Sequence, residues 1–300
     1  MAESSVREEG FQAPPFHPKR WREYVEIVIL TILAGLFLKT FVIEAFRIPS
    51  GSMENTLLAG DFVLVNKFIY GARTPETIPF TSIHLPVVTL PALSVPKIGD
   101  IIVFRYPGDR DEIHPLESVD YVKRCIGAPG DTLEIEDKIV FVNGRALSLP
   151  SSAKDGSAGS CPRGVSDDRI FPAGARFNPD NYGPIVIPRK GMIVPLSGKT
   201  IQLWRMLIMR EGHSVGSGTS DTALIDGVPT SQYRIEKNYY FVLGDNRSNS
   251  LDSRFWGFVP EEMIIGKAML VYWSFDQSAG SSFTGRFFSV RWPRIGILVR

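Results

Sequence analysis

"YVEIVILTILAGLFLKTFVIEAF", residues 24 to 46, divides the chain into a short lead and a long body. As a helix, its 23 residues at about 1.5 Å each reach about 35 Å, enough to cross roughly 30 Å of hydrocarbon. Only Ile27 to Leu38 is free of charge, with Glu26 before it and Lys39 and Glu44 after it. Three readings compete: a membrane anchor, a cleaved secretory signal and a buried core helix. The closing Thr-Phe-Val-Ile-Glu-Ala-Phe lacks an Ala-x-Ala-like cleavage pattern, and a lysine near the end of a span can reach the headgroups. Lys19, Arg20 and Arg22 lie just ahead of the run. These flanks favour an anchor with a cytoplasmic N-terminus, which places everything after about residue 47 outside the cytoplasm.

Three hundred residues fit one large domain or two modest ones, and a 44% hydrophobic content is ample for a core. The net charge of +1 gives no electrostatic pointer to nucleic acid. Two cysteines, Cys125 and Cys161, are too few for a disulfide scaffold or a zinc site. An extracytoplasmic compartment would permit them to pair, but nothing in the sequence shows that their backbones approach.

Beyond the anchor, "DFVLVNKFIYG", "GDIIVFRYPGD", "DTLEIEDKIVFVNG" and "KNYYFVLGDN" are short apolar-rich runs closed by Gly, Pro or Asp, and "GKAMLVYWSF" is a further one. They predict many short strands. The Asn-Gly pair in "KIVFVNG" predicts a hairpin within Asp131 to Leu147. From Ser148 to Pro184 the composition shifts to Ser, Gly, Pro, Asp and Ala, an irregular excursion, and Leu203 to Glu211 is the best helical candidate outside the anchor. The expected layout is mainly β: a tail over 1–23, an anchor over 24–46, a catalytic β domain from 47–143 and 238–300, and an inserted subdomain over 144–237. Ile78 to Pro96 is apolar but broken by prolines, so it reads as a loop packed on the core or a wedge dipping into the membrane surface. The C-terminal "RFFSVRWPRIGILVR" reads as an interfacial segment or a core-packed tail.

Chemistry concentrates in three places. "FRIPSGSMENTLL", residues 46 to 58, packs two serines, a glycine and a proline just after the apolar run. His17, His84, His114 and His213 sit in no metal-binding or triad context, so a serine nucleophile needs a different base. At an ordinary pKa of about 10.4, about one lysine in a thousand is neutral near pH 7.4. A site must favour the neutral amine by on the order of 4 kcal/mol, which burial among apolar side chains can do. "DYVKRCIGAPGD", residues 120 to 131, carries Lys123 within an apolar strand. Alternation sends Lys123 and Arg124 opposite ways, one toward an apolar pocket and the other into solvent. "GDNRSNSLDSRFWGFVP", residues 244 to 260, is dense in polar groups between two apolar strands. It reads as a solvated turn or as a network holding a site together.

The anchor followed by P-S-G-S-M, then G-D-I-x-V-F, Y-V-K-R-x-x-G-x-P-G-D and G-D-N-R-x-x-S-x-D-S-R-x-W-G, resembles in that order the bacterial type I signal peptidases, membrane-bound serine proteases with a Ser-Lys dyad. The resemblance implies a single N-terminal transmembrane helix ahead of a β-rich signal-peptidase-like catalytic domain. It implies Ser52 as nucleophile, Lys123 as general base, and an oxyanion hole from the Ser52 N–H and the Ser50 hydroxyl. Gly51 would let the backbone turn tightly enough for the two serines to converge. Ser250 corresponds to a serine that hydrogen-bonds the lysine, and Asp252 with Arg254 to a supporting ion pair. The implied S1 and S3 walls are Phe46, Ile48, Met53, Leu57, Val63, Tyr121 and Val122, each of which core packing would also explain. The implied substrate is a secretory pre-protein with small residues, usually Ala, at −1 and −3. The implied setting is the bacterial plasma membrane, with signal peptides and the lipid bilayer as partners, a monomer near the secretion translocon, no nucleic acid, and no metal or organic cofactor.

Asn55 stands where that family usually has proline, only one candidate span is present, and Ser148 to Lys237 matches loosely. A self-cleaving Ser-Lys repressor shares the dyad, but it should carry a soluble DNA-binding N-terminus. A catalytically silent signal-peptide-binding or scaffold protein of the same fold should lack Ser52 or Lys123, and both are present.

Overall fold

The computed structural model describes residues 18–74, 86, 88–115, 117–148, 159–198, 200–218, 222–277 and 289–300. Helix α1 (Pro18–Phe37) widens into a π turn over Leu38–Val42, and the chain passes straight into strand β1 (Ile43–Arg47). The stretch long and apolar enough to cross a membrane is Trp21–Val42, none of it buried within the protein. That lack of cover is at odds with a buried core helix. The helix also ends sooner than expected. Ile43 to Phe46 belong to β1, whose residues alternate between exposed and half-buried as an edge strand does.

The other strands are β2 (Asp61–Asn66), β3 (Ile101–Arg105), β4 (Asp120–Gly127), β5 (Thr132–Glu136), β6 (Ile139–Val142), β7 (Arg145–Ala146), β8 (Tyr182–Val186), β9 (Ile193–Pro195), β10 (Val215–Gly216), β11 (Ala223–Ile225), β12 (Val228–Thr230), β13 (Gln232–Arg234), β14 (Tyr239–Leu243), β15 (Val259–Pro260) and β16 (Ile264–Ser274). Helices α2 (Ile201–Arg210) and α3 (Ser253–Trp256) complete the set described here. The protein is mainly β, as the alternating runs predict. The main sheet has the order β1-β2-β16-β3-β4-β14-β15 with antiparallel neighbours. Alternation along β3 feeds two cores: Ile101 and Val103 join Ile48, Met53, Leu57 and Val65, while Ile102 and Phe104 join Cys125, Val242 and Trp256.

Strands β5, β6 and β7, which lie on both sides of the expected boundary at residue 144, form a separate four-stranded sheet with β8. The expected hairpin is a meander with two tight turns, at Asp137-Lys138 and Asn143-Gly144, all four residues at positive φ. Leu133, Ile135, Tyr182 and Ile185 pack in one core with Phe241, Leu243 and Phe258. The later region therefore shares its interior with the main sheet's last strands. Helix α2 starts two residues before the expected Leu203 and buries Trp204, Leu207 and Ile208, at i, i+3 and i+4.

Residues 289–300 run beside β16 on the edge that β3 leaves open. The N–H of Val271 donates to Ile297 O and that of Val299 to Met269 O, at 2.9 and 2.8 Å. Val299 packs on the core, while Trp292 and Leu298 are exposed. Cys125 and Cys161 are both free thiols, and burial pushes the Cys125 thiol up to about 12. His17, His84 and residues 78–85 and 87 of the proline-broken stretch lie outside the described residues.

Candidate active site

Two residues after Pro49, the chain makes a single 3-10 turn, Gly51–Met53, and buries Met53 in the core. That burial fixes the turn from below. From above it is held by Asn246, whose N–H donates to Ser52 O at 3.0 Å and whose side-chain amide donates to Gly51 O and Glu54 Oε2, each at 3.1 Å. Gly244 allows this approach, because a Cβ there would lie 2.6 Å from Ser52 O and 2.2 Å from Ser250 Oγ. Asn55 has φ of 81°, a left-handed conformation open to asparagine and closed to proline, whose ring fixes φ near −65°. Proline could not hold this backbone at position 55.

Lys123 lies on β4 opposite Ile102 of β3, and only 4% of it is exposed. Its Nζ is 2.6 Å from Ser52 Oγ. The ammonium donates in this contact, and a neutral amine at the same place would accept the hydroxyl proton. Burial lowers the Lys123 pKa to about 8; Asp252 and Asp245 pull it upward and Arg254 pushes it down. The Tyr121 ring lies 5.4 Å from Nζ and stacks on Tyr106.

Alternation predicts that one of Lys123 and Arg124 faces solvent, yet Arg124 too is buried, at 3% exposure. It faces away from Lys123, and Asp245 supplies its counter-ion there, with Nε–Oδ1 at 2.8 Å and Nη2–Oδ2 at 2.6 Å. Thr56, just beyond the serine turn, donates to the same carboxylate at 2.6 Å. Both the polar loop and the turn are thereby tied to β4.

The other expected residues are placed less uniformly. Ser50 is exposed, and its Oγ lies 3.4 Å from Ser52 Oγ. Gly51 is not forced to be glycine by its own turn, since its φ is not left-handed and a Cβ would meet only Glu54 Oε2, at 3.8 Å. Ser250 is buried beside Gly244, and its Oγ makes no hydrogen bond, so the expected bond to Lys123 is not formed here. Asp252 and Arg254 do pair, through Nε–Oδ1 at 2.8 Å and Nη2–Oδ2 at 2.9 Å, and both are fully buried. Burial pushes the Asp252 carboxyl upward, but Arg254 and the Gly244 N–H outweigh it and hold the carboxyl below its ordinary value. Arg254 also donates to Arg247 O at 2.8 Å and Pro179 O at 3.1 Å, joining this loop to the later region.

Ser52 opens on a groove of about 680 Å³. Phe46, Ile48, Met53, Tyr121 and Val122 line it, together with Arg169, Asp180, Leu251 and Phe255, which the sequence did not single out. Leu57 and Val63 do not line it; they lie in the core with Met53, at 0% and 1% exposure. Gly244, Asp245 and Asn246 were also overlooked, although they stand in the same polar motif as Ser250. His114 and His213 do not line the groove; His213 bonds Asp226 and Glu236 elsewhere. Among the described residues, no group of three or more His, Cys, Asp or Glu side chains is arranged to hold a metal ion.

Residues 21–273 match the family model described as signal peptidase, peptidase S26. Signal peptidase I of Buchnera aphidicola subsp. Schizaphis graminum is 33% identical over 273 residues, covering 89% of this chain and 78% of that protein. Signal peptidase I of Aquifex aeolicus is 33% identical, covering 84% of each chain, and that of Pseudomonas fluorescens is 30% identical, covering 85% of this chain and 73% of the relative. A solved signal peptidase I from Enterococcus faecalis V583 overlays 58% of this chain and 98% of its own at 20% identity, with a TM-score of 0.30.

Proposed function

The chain belongs to the signal peptidase family, peptidase S26, a serine endopeptidase family that removes signal peptides, and we propose that it does so with Ser52 as nucleophile and Lys123 as general base. The observation that carries this reading is the 2.6 Å contact between Ser52 Oγ and the amine of a buried lysine. With a pKa of about 8, roughly a fifth of the Lys123 side chains are neutral at pH 7.4, against about one in a thousand for an ordinary lysine. Lys123 takes the Ser52 proton as Oγ attacks the scissile carbonyl, then returns it to the leaving amine. A water, deprotonated by the same amine, hydrolyses the acyl-enzyme.

The Ser52 N–H and the Ser50 hydroxyl are the proposed oxyanion donors. At 3.4 Å from Ser52 Oγ and exposed, Ser50 can rotate toward a substrate oxygen. Ser50→Ala is expected to lower kcat by about 100- to 1000-fold with little change in KM, read by steady-state cleavage of a peptide substrate. A change below threefold would remove Ser50 from the hole. Phe46, Ile48, Met53, Tyr121 and Val122 form the wall that receives the small −1 and −3 side chains. The anchor holds the body on the extracytoplasmic face of the membrane, where a signal peptide emerges.

The test is cleavage of a pre-protein bearing an Ala-x-Ala site, with the new N-terminus mapped by mass spectrometry across a pH series. Lys123 must be deprotonated to act, so kcat/KM should rise about tenfold per pH unit below about 8 and level above it. A flat profile from pH 6 to 9, or a cut elsewhere than after the second Ala, would overturn the reading.

A further inference from the structure

Tyr121 stands in the groove lining two residues ahead of Lys123 on β4, and a neighbour that the chemistry does not use holds its ring. Tyr106 follows directly on β3, and its N–H donates to Val119 O at 2.8 Å. By alternation it shares a face with Phe104, which stands opposite Tyr121 in the register. Tyr106 is thus the diagonal cross-strand neighbour of Tyr121, within reach of an aromatic side chain. The two rings stack, with centroids 4.8 Å apart and planes 29° from parallel. Trp256 packs against both, at 5.1 Å from Tyr106 and 5.5 Å from Tyr121.

Tyr106 is in turn fixed at its outer end, where its hydroxyl donates to the Asp109 carboxylate. The loop that carries Asp109 closes on itself: Glu112 N–H donates to Asp109 O at 3.0 Å, and Asp109 N–H to Glu112 Oε2 at 3.1 Å. Arg210, the last residue of α2, clamps this loop through Nη2 to Asp109 O at 2.6 Å and to Glu112 O at 2.8 Å. From the same loop Arg110 donates to Asp168 O and Ile170 O, at 2.6 and 3.1 Å, on either side of Arg169 in the groove lining. One short loop therefore braces two parts of the groove.

We propose that Tyr106 is a positioning residue that fixes the Tyr121 ring in the groove wall and thereby sets how large a side chain the groove admits. The inference rests on the proposed reading of that wall. Tyr121 is only half-buried, so what keeps its ring from turning aside is the aromatic box of Tyr106 and Trp256, whose stacked and tilted contacts are the favoured geometries of such pairs. Loss of the Tyr106 ring frees Tyr121 to yield to a bulkier substrate. The Lys123–Ser52 contact is made without Tyr106, so size selection and proton transfer are served by different residues.

The test is competitive cleavage of two pre-proteins, identical except for Ala or Leu at −3, by the full chain in detergent, with products counted by mass spectrometry. Tyr106→Leu, which removes the stack, should lower the Ala-over-Leu ratio of kcat/KM about tenfold, chiefly by improved cleavage of the Leu substrate. Tyr106→Phe keeps the ring and should stay within threefold of wild type. If a melting curve shows Tyr106→Leu unfolded, Tyr106→Met is read in its place. Parallel loss on both substrates at an unchanged ratio would overturn the proposal, as it would mean that Tyr106 serves the fold alone. A Phe variant as unselective as the Leu variant would also overturn it, by moving the effect from the ring to the hydroxyl. The relative affinity of Ser52→Ala chains, with and without Tyr106→Leu, for the same two pre-proteins reads the ratio without catalysis. An inert wild type would thus speak against the dyad alone.

Discussion

Replacing Lys123 by methionine is expected to lower kcat by about four orders of magnitude or more without unfolding the protein. Methionine matches the lysine stem in length, and the pocket gives up a buried charge rather than gaining one. What is lost is the only amine within 2.6 Å of Ser52 Oγ among the described residues. Ser52→Ala should fall as far, and the double variant no further, because nucleophile and base act as one unit. Lys123→Arg should not restore activity, since guanidinium stays protonated. Single-turnover cleavage followed by mass spectrometry, beside a detergent-phase melting curve, separates lost chemistry from lost fold. Activity within tenfold of wild type in Lys123→Met would sink the assignment.

The largest effect on stability is expected at Arg254. Arg254→Met leaves the Asp252 carboxylate buried without its ion-pair partner, a loss of about 3–5 kcal/mol. The double variant Asp252→Leu with Arg254→Met should recover much of it, since both charges then disappear together. Denaturant unfolding in detergent reads both; a single-variant loss under 1 kcal/mol would show that the fold does not depend on the pair. The two charges also push Lys123 in opposite directions. Removing Arg254 should move the rising limb of the pH–rate profile to higher pH, and Asp252→Asn should move it lower, a split that a purely structural role would not produce. The Asp252 carboxyl is held low in the fold, so its share of stability is complete above an unfolded pKa of about 3.9 and fades as pH falls through the lower folded value.

Local pattern carried the sequence a long way where physics is local. The alternating runs identified strands of the main sheet, while Lys123 in its apolar strand was only a candidate until the family resemblance singled it out. Pairing across long stretches was not legible. Nothing near Arg124 reveals that Asp245, 121 residues onward, will neutralise it, and nothing in β5 announces β8 as its partner. The end of the anchor was missed because "FVIEAF" is apolar on both sides of the change from helix to strand. Leu57 and Val63 are pocket walls only by the family resemblance, and their apolar composition does not separate a groove-lining side chain from the core residues they are.

The passage from Val42 to Ile43 has no coil in it, and this makes the span a lever arm for the cutting edge. Membrane helices tilt by about 20° on average, and further when the bilayer thins. With no coil between helix and strand to absorb it, a rotation of that kind is expected to pass into β1 and tilt the proposed Ser52 groove relative to the bilayer. The expected result, read by mass spectrometry of the new N-terminus in vesicles of different acyl length, is that a thinner membrane shifts the bond cleaved in the same pre-protein.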